Sequence, residues 1–238
     1  MELRFIEINN LVLHEYTEKI RFQKLITKIE EEGVQKSPII VTKIDNYYLV
    51  LDGAHRYTCL KALKYKYILC QIINSEEYYI DTWQHTISKD DYANHIQILL
   101  KNERFSKLDI EKDKDILQIN TMNDENTPQP LESYIQFVDC LNKCNSFKRV
   151  HKNEYSKDSV KVIYPEVDEE LIKLLVNKNR RIPAGISKVN LKCGRILGVS
   201  IPLQILNENT FHDIYIDKIM NNIRKYEETI YLYEGMIL

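Results

Sequence analysis

The sequence predicts an α+β protein in two parts, residues 1–90 and residues 91–238. Three observations carry this expectation. Segments with a helical apolar period alternate with short β-rich runs, and both kinds occur in each half. A charged, turn-rich stretch from about Lys89 to Pro130, with Lys112-Asp113-Lys114-Asp115 and Asn123-Asp124-Glu125-Asn126-Thr127-Pro128-Gln129-Pro130, reads as an exposed connection or domain boundary. The 238 residues are enough for one large domain or two small ones with substantial cores.

In the first part, Phe22, Leu25, Ile26 and Ile29 recur at i, i+3, i+4, i+7. They predict an amphipathic helix from Glu18, closed by Gly33 as the residue past its carboxyl end. Pro38–Thr42 and Tyr47–Leu51 read as strands joined by a turn at Asp45-Asn46. Arg56–Leu63 is helical in composition, and Tyr67–Ile73 is strand-like. In the second part, strands are expected near Phe147–His151, Val160–Tyr164, Ile186–Leu191, Ile196–Ile201 and Thr229–Tyr233, with helices over Asp168–Val176 and Asp213–Arg224.

Composition narrows the function. Apolar residues are 44% and charged residues 29%, which excludes disorder over the whole chain. The formal net charge of −2 lacks the basic bias of a non-specific nucleic-acid binder, and the 16 tyrosines are not interleaved with basic residues as a stacking platform would be. No apolar run approaches the ~20 residues of a membrane span. Met1–Glu7 has no signal-peptide layout, and five cysteines without a C-x-x-C pair fit reduced thiols, so a cytoplasmic protein is expected. Cys59, Cys70 and Cys193 read as core or near-core thiols. Cys140 and Cys144 stand at i, i+4, but no His or acidic partners are arranged around them as a metal site needs.

The segment that looks like chemistry is Leu51-Asp52-Gly53-Ala54-His55-Arg56, between a strand and a helix start. Gly53 lets backbone approach a phosphate, amides at the helix start point outward at the positive end of the dipole, and Arg56 matches phosphate oxygens. Asp52 offers carboxylate oxygen to a magnesium ion. The plain alternative is an Asp-Gly turn followed by a solvated arginine.

Asp-Gly-x-His-Arg between strand and helix, after an amphipathic helix and a Pro-Ile-x-Val strand, resembles the ParB/sulfiredoxin superfamily. Sulfiredoxins place a reactive cysteine where this chain has Ala54. Centromere-binding ParB proteins carry a second arginine where this chain has Tyr57, and a basic helix-turn-helix domain follows. The third branch is the free L-serine kinases, including those of siderophore clusters of the staphyloferrin B type. That resemblance runs nearly end to end: Leu13-His14-Glu15, Asp52–Thr58 continuing to Leu60–Leu63, Thr82-Trp83-Gln84-His85, Ile182-Pro183-Ala184-Gly185 and Ile230-Tyr231-Leu232. Residues from about Tyr92 to Ser156 are not matched.

The resemblance implies a ParB/sulfiredoxin-like nucleotide-binding domain over 1–90, and an α+β domain over 91–238 that forms a cleft with it and closes over the substrate. It implies transfer of the γ-phosphoryl of ATP to free L-serine, giving O-phospho-L-serine as a siderophore precursor, with ATP or ADP as donor and Mg2+ as the charge-neutralising cation. Glu15 matches the proposed base, and Asp52 is placed near the metal or the substrate hydroxyl, or alternatively fixes the loop by accepting backbone N–H bonds. Gly53, Ala54, His55, Arg56 and Thr58 would meet the nucleotide. Trp83 and His85 would wall and bind the amino acid, and Arg181, Ser187 and Lys188 would meet its carboxylate. The partners expected are L-serine and nucleotide, with no membrane and DNA disfavoured. Two rivals remain: a nucleotide-dependent ParB-like DNA-binding regulator, and a catalytically silent ligand sensor.

Overall fold

The computed structural model describes residues 2–106, 108–120, 129–152, 154, 157–226 and 230–233. The chain clusters into two compact units. The first takes residues up to Tyr79, Ile172–Arg181 and the chain from Val189 onward; the second takes Ile80–Leu171 and Ile182–Lys188. The chain therefore leaves the first unit near Tyr79, short of the expected boundary at residue 90, and returns to it twice. The reason is apolar: Ile196, Val199, Ile201, Leu203, Leu206 and Ile219 are buried in one core with Leu3, Phe5, Val41 and Leu69 of the amino-terminal sheet.

The first unit begins with β1 (Glu2–Glu7), whose alternation leaves Glu2 and Arg4 exposed and buries Leu3 and Phe5. Next come β2 (Leu11–Leu13) and α1 (Lys19–Glu32), which ends as expected at Gly33 in the left-handed region. Then follow β3 (Val34–Lys36), β4 (Ile39–Ile44), β5 (Tyr47–Asp52), α2 (Ala54–Ala62) and β6 (Tyr67–Ile73). The five-stranded sheet has the order β1-β6-β4-β5-β2. β4 runs parallel to β6 and β2 parallel to β5, while the other two pairings are antiparallel. Ile39, Leu49, Ile68 and Leu69 of its strands are fully buried, as is Leu60 of α2. Residues Arg195–Leu197, Ile230–Tyr233 and Ile223–Tyr226 form a separate three-stranded sheet, and Ser200–Pro202 pairs with β3. The single strand expected over Ile196–Ile201 is thus two, broken at Gly198, which has φ +79°. Thr229 lies outside the described residues.

In the second unit, strands 148–150, 84–88, 159–163, 116–119 and 110–113 form a sheet in that order. The helix Gln129–Leu141 buries Tyr134, Phe137, Val138 and Leu141 completely. The expected linker is therefore built into this unit: Leu117 and Ile119 are buried, while Glu111, Lys112, Asp113 and Lys114 stay in water at the hairpin end. Its charges are the outer face and tip of a hairpin whose inner face is core. The turn-rich portion 121–128 lies outside the described residues. Cys59 and Cys70 are buried, Cys193 is half-buried, and all five cysteines are free thiols. Among the described residues no helix is long and apolar enough to cross a membrane.

Candidate active site

β2 and β5 run parallel with Leu11, Val12 and Leu13 opposite Tyr48, Leu49 and Val50. β2 ends at Leu13, opposite Val50, and β5 runs two residues further. By this register Glu15, two residues past β2, comes level with Asp52, the last residue of β5, at the carboxyl edge of the sheet, where open α/β sheets place their ligands. His14 fixes this end. Buried at 3% exposure, it donates from Nδ1 to the Val50 carbonyl at 3.0 Å, which ties the residue before Glu15 to the strand that carries Asp52. Glu15 itself is half-buried. On the β4 side the register slips, so that Ile40 faces Asp52 while Val41 faces Val50. Leu51 is the extra residue of a bulge that re-aims the chain just before the loop.

Gly53 is left-handed at φ +94° and caps α2 with no side-chain hydrogen bond. A glycine brings no side chain of its own to this helix start, where the backbone amides point outward at the positive end of the nine-residue helix. His55 faces α1, and its Nε2 accepts from the Glu18 backbone N–H at 3.2 Å, holding the start of α1 against the loop. The Asp52 carboxylate accepts from Arg195 Nη1 at 2.7 Å and lies 3.6 Å from Arg56 Nη2.

Three expectations change at this loop. Arg56 Nη1 donates to the carbonyls of Lys36, Ser37 and Pro38 at 3.0, 2.7 and 3.0 Å. It clamps the turn between β3 and β4, so that half of its guanidinium is committed to backbone instead of phosphate. Thr58 donates its hydroxyl to the Ala54 carbonyl at 2.8 Å, the i−4 back-bond of a helical threonine. Asp52, shared between two guanidiniums, is a loop-fixing carboxylate and does not fit as a resident Mg2+ ligand. Among the described residues no three His, Cys, Asp or Glu side chains are grouped to hold a metal. Arg181 also belongs to the first unit, with its guanidinium carbon 5.9 Å from the ring centre of Tyr16, the residue after Glu15.

The second unit gathers Trp83, Lys188 and His151. The Lys188 ammonium lies 4.8 Å from the centre of the half-buried Trp83 ring and 3.4 Å from His151 Nδ1. The Trp83 amide donates to Ile186 at 2.8 Å, which brings the Pro183-Ala184-Gly185 turn beside the tryptophan. Gly185, at φ +81°, gives room to the Arg149 guanidinium, which a Cβ would displace. Ser187 is buried at 9% exposure. His85 does not join this surface. Its ring is 1% exposed, stacked 4.2 Å from Phe147 and edge-on to Tyr164 at 5.3 Å, so it belongs to the core of the unit. Both faces of its strand are covered here, since Gln84, Thr86 and Ile87 are buried as well. The residues missed by sequence reasoning are Arg195, Tyr16, His151 and Arg149, which carry no local motif.

Of the three buried histidines, His14 and His85 carry the largest shifts and fold as neutral rings. Burial pushes His14 down to about 4 against the pull of its Val50 bond, and burial followed by the Arg149 charge pushes His85 down to about 3. An unfolded histidine titrates near 6.5, so below that pH the unfolded chain binds protons that the folded chain refuses. Stability from these rings is complete above pH 6.5 and is lost as pH falls toward 4 and then 3. Urea unfolding at pH 7.5 and at pH 5.0 is expected to differ by about 2 kcal/mol per histidine. His85→Phe, which fits between Phe147 and Tyr164, should reduce that difference. Equal stability at the two pH values would contradict the buried neutral rings.

A glycine-capped strand–loop–helix with a neighbouring carboxylate and a guanidinium pair defines a phosphate-handling α+β protein. Comparison with known proteins identifies which. The chain is 30% identical over 253 aligned residues to the ATP-dependent L-serine kinase SbnI of Staphylococcus aureus, covering 98% of this chain and 97% of that one. It superimposes with a TM-score of 0.69 on carboxy-terminally truncated SbnI from the same organism, at 26% identity over 87% of this chain and 90% of that one. A free serine kinase in complex with AMP shares the fold, with a TM-score of 0.64 and 14% identity over 86% and 93% of the two chains. No family model matches the sequence. The chain belongs to the family of SbnI, the ATP-dependent L-serine kinases.

Proposed function

We propose that this protein transfers the γ-phosphoryl group of ATP to the hydroxyl of free L-serine, releasing O-phospho-L-serine and ADP. The observation that carries the reading is the placement of Glu15 and the Asp52–Gly53 loop at the common end of β2 and β5, in a chain of this family. Phosphoryl transfer through a loose transition state asks mainly for positioning and charge stabilisation. The serine Oγ forms the new P–O bond as the bond to the leaving diphosphate breaks, and Glu15 takes the hydroxyl proton late in that process. The Gly53, Ala54 and His55 backbone cradles phosphate oxygens. Asp52, His55 and Arg56 keep the loop in shape through Arg195, Glu18 and the Lys36–Pro38 carbonyls. A magnesium ion entering with the nucleotide would supply further charge neutralisation, and it would depend on the phosphate oxygens for its ligands, since Asp52 is already paired with Arg195 and Arg56.

For the amino acid, Trp83 with Lys188 and His151 is the candidate recognition cluster, since an ammonium beside an aromatic face suits a small carboxylate. Arg181, beside Tyr16 in the first unit, is a separate candidate cation for a carboxylate. The reaction would take place in the cytoplasm and supply phosphoserine to siderophore assembly of the staphyloferrin B type.

The test is a phosphorus NMR time course with purified protein, magnesium, L-serine and either ATP or ADP in parallel. A growing phosphoserine resonance with ATP is the expected result; growth with ADP alone would replace the donor. Binding of both ligands without turnover would overturn the enzyme in favour of a sensor, and salt-sensitive retention of DNA without turnover would favour a regulator.

A further inference from the structure

Arg195 reaches the loop from a point 143 residues further along the chain than Asp52. Its position is built with care. Gln71 is a polar side chain buried at 1% exposure in β6. Its Nε2 donates to the Gly194 carbonyl at 2.6 Å, and its Oε1 accepts from the Ile196 amide at 3.1 Å. One side chain thus grips the peptide groups on both sides of Arg195, as the backbone of a neighbouring strand would. On its other flank Arg195 is in parallel register with Ile230.

Stability does not account for this arrangement. Both Asp52 and Arg195 side chains are 40% exposed, and such ion pairs add little to folding. Charge does account for it. The Asp52 carboxylate lies between two guanidiniums beside Gly53 and the start of α2, so these three side chains together carry one positive charge in excess, which faces the second carboxylate of the edge, Glu15. Of the two cations, Arg56 spends Nη1 on three carbonyls. Arg195 spends Nη1 on Asp52 alone, and its Nε and Nη2 donate to no acceptor among the described residues. A fork of donors with one prong fixed and the others open has the geometry to meet two phosphate oxygens at once.

We propose that Arg195 is the phosphate-binding arginine of this site, contacting phosphate oxygens of the nucleotide, and that Gln71 is its positioning residue. This deepens the kinase reading and rests on its phosphate loop. The test is calorimetric titration of ADP and, separately, of adenosine into the full chain and the Arg195→Ala, Arg195→Lys and Gln71→Ala variants. Arg195→Ala is expected to weaken ADP about 10–100-fold, the range of a charge-assisted hydrogen bond, and to leave adenosine within twofold. Arg195→Lys should recover part of the loss, and millimolar guanidinium should restore part of the serine phosphorylation lost in Arg195→Ala. Gln71→Ala should weaken ADP about tenfold, with no further loss when combined with Arg195→Ala. Unchanged ADP affinity in Arg195→Ala, or equal losses of ADP and adenosine, would overturn the assignment, the second by revealing a merely structural role. Should the wild-type chain bind ADP through Arg195 yet make no phosphoserine, the kinase reading fails while the phosphate ligand stands.

Discussion

Glu15→Gln is expected to lower kcat for serine phosphorylation by about 10²–10⁴-fold, the usual contribution of a positioned proton acceptor, while the KM for serine and the affinity for ADP change little. The reasoning starts from the sheet. Parallel pairing of β2 with β5 brings Glu15 level with Asp52, and the bond from His14 to Val50 keeps that register. A glutamine has the same length and can still orient a hydroxyl, but it cannot accept the proton that leaves as the P–O bond forms. Glu15→Asp keeps the acid and shortens its reach, so intermediate activity is expected. Initial-rate kinetics on the three proteins, with melting curves to confirm folding, check the claim. Turnover of Glu15→Gln within tenfold of wild type would remove Glu15 from the mechanism. The two carboxylates at this edge then divide their work by surroundings. Asp52 is paired with Arg195 and Arg56, whereas Glu15, two residues past the parallel neighbour β2, is the carboxylate that the proposed reaction gives the proton.

The parts of the fold that sequence reasoning found are those with enough residues to show a period. The α1 stripe of Phe22, Leu25, Ile26 and Ile29, its Gly33 cap and the Tyr47–Leu51 strand stand within a residue or two of their expected bounds. The three-residue strands β2 and β3 are too short to display any period, and both lie where tertiary pairing creates them. The hairpin at 110–119 was hidden because its charged face and tip outnumber the inward Leu117 and Ile119. In the candidate site, Asp52 to Thr58 was legible because the loop is contiguous, but which atoms its side chains bond was not. Arg56, Thr58 and His85 have the right chemistry for ligands and direct much of it to carbonyls or to the core. Arg195 had no local signal. Gln71 had one: a lone polar residue within Tyr67-Ile68-Leu69-Cys70-Gln71-Ile72-Ile73 must find buried partners, and those partners lead to Arg195.

Gly53→Ala should be the most damaging single-methyl change in the first unit, and Gly33→Ala provides its control. Both glycines are left-handed, at φ +94° and +66°, so each alanine carries the conformational cost of a non-glycine residue there, about 1–2 kcal/mol. They differ in space. A Cβ at Gly33 meets nothing within 4 Å, whereas one at Gly53 would stand 2.6 Å from Ile39 Cγ2 and 2.9 Å from Arg56 Nη2. Ile39 is fully buried in the central strand β4, so it cannot move aside without opening the core. Relief must come from the loop and from Arg56, whose release would leave the Lys36, Ser37 and Pro38 carbonyls without that donor. Gly33→Ala is therefore expected to lower Tm by about 2–6 °C with ADP affinity unchanged, and Gly53→Ala by roughly twice as much with at least a tenfold loss of ADP affinity. Thermal unfolding with calorimetric ADP titration measures both at once. Equal effects of the two alanines on stability and on ADP would mean that Gly53 serves only backbone conformation. A loss of ADP affinity confined to Gly53→Ala would mean that the loop's shape, held between Ile39 and Arg56, is what makes it a phosphate cradle.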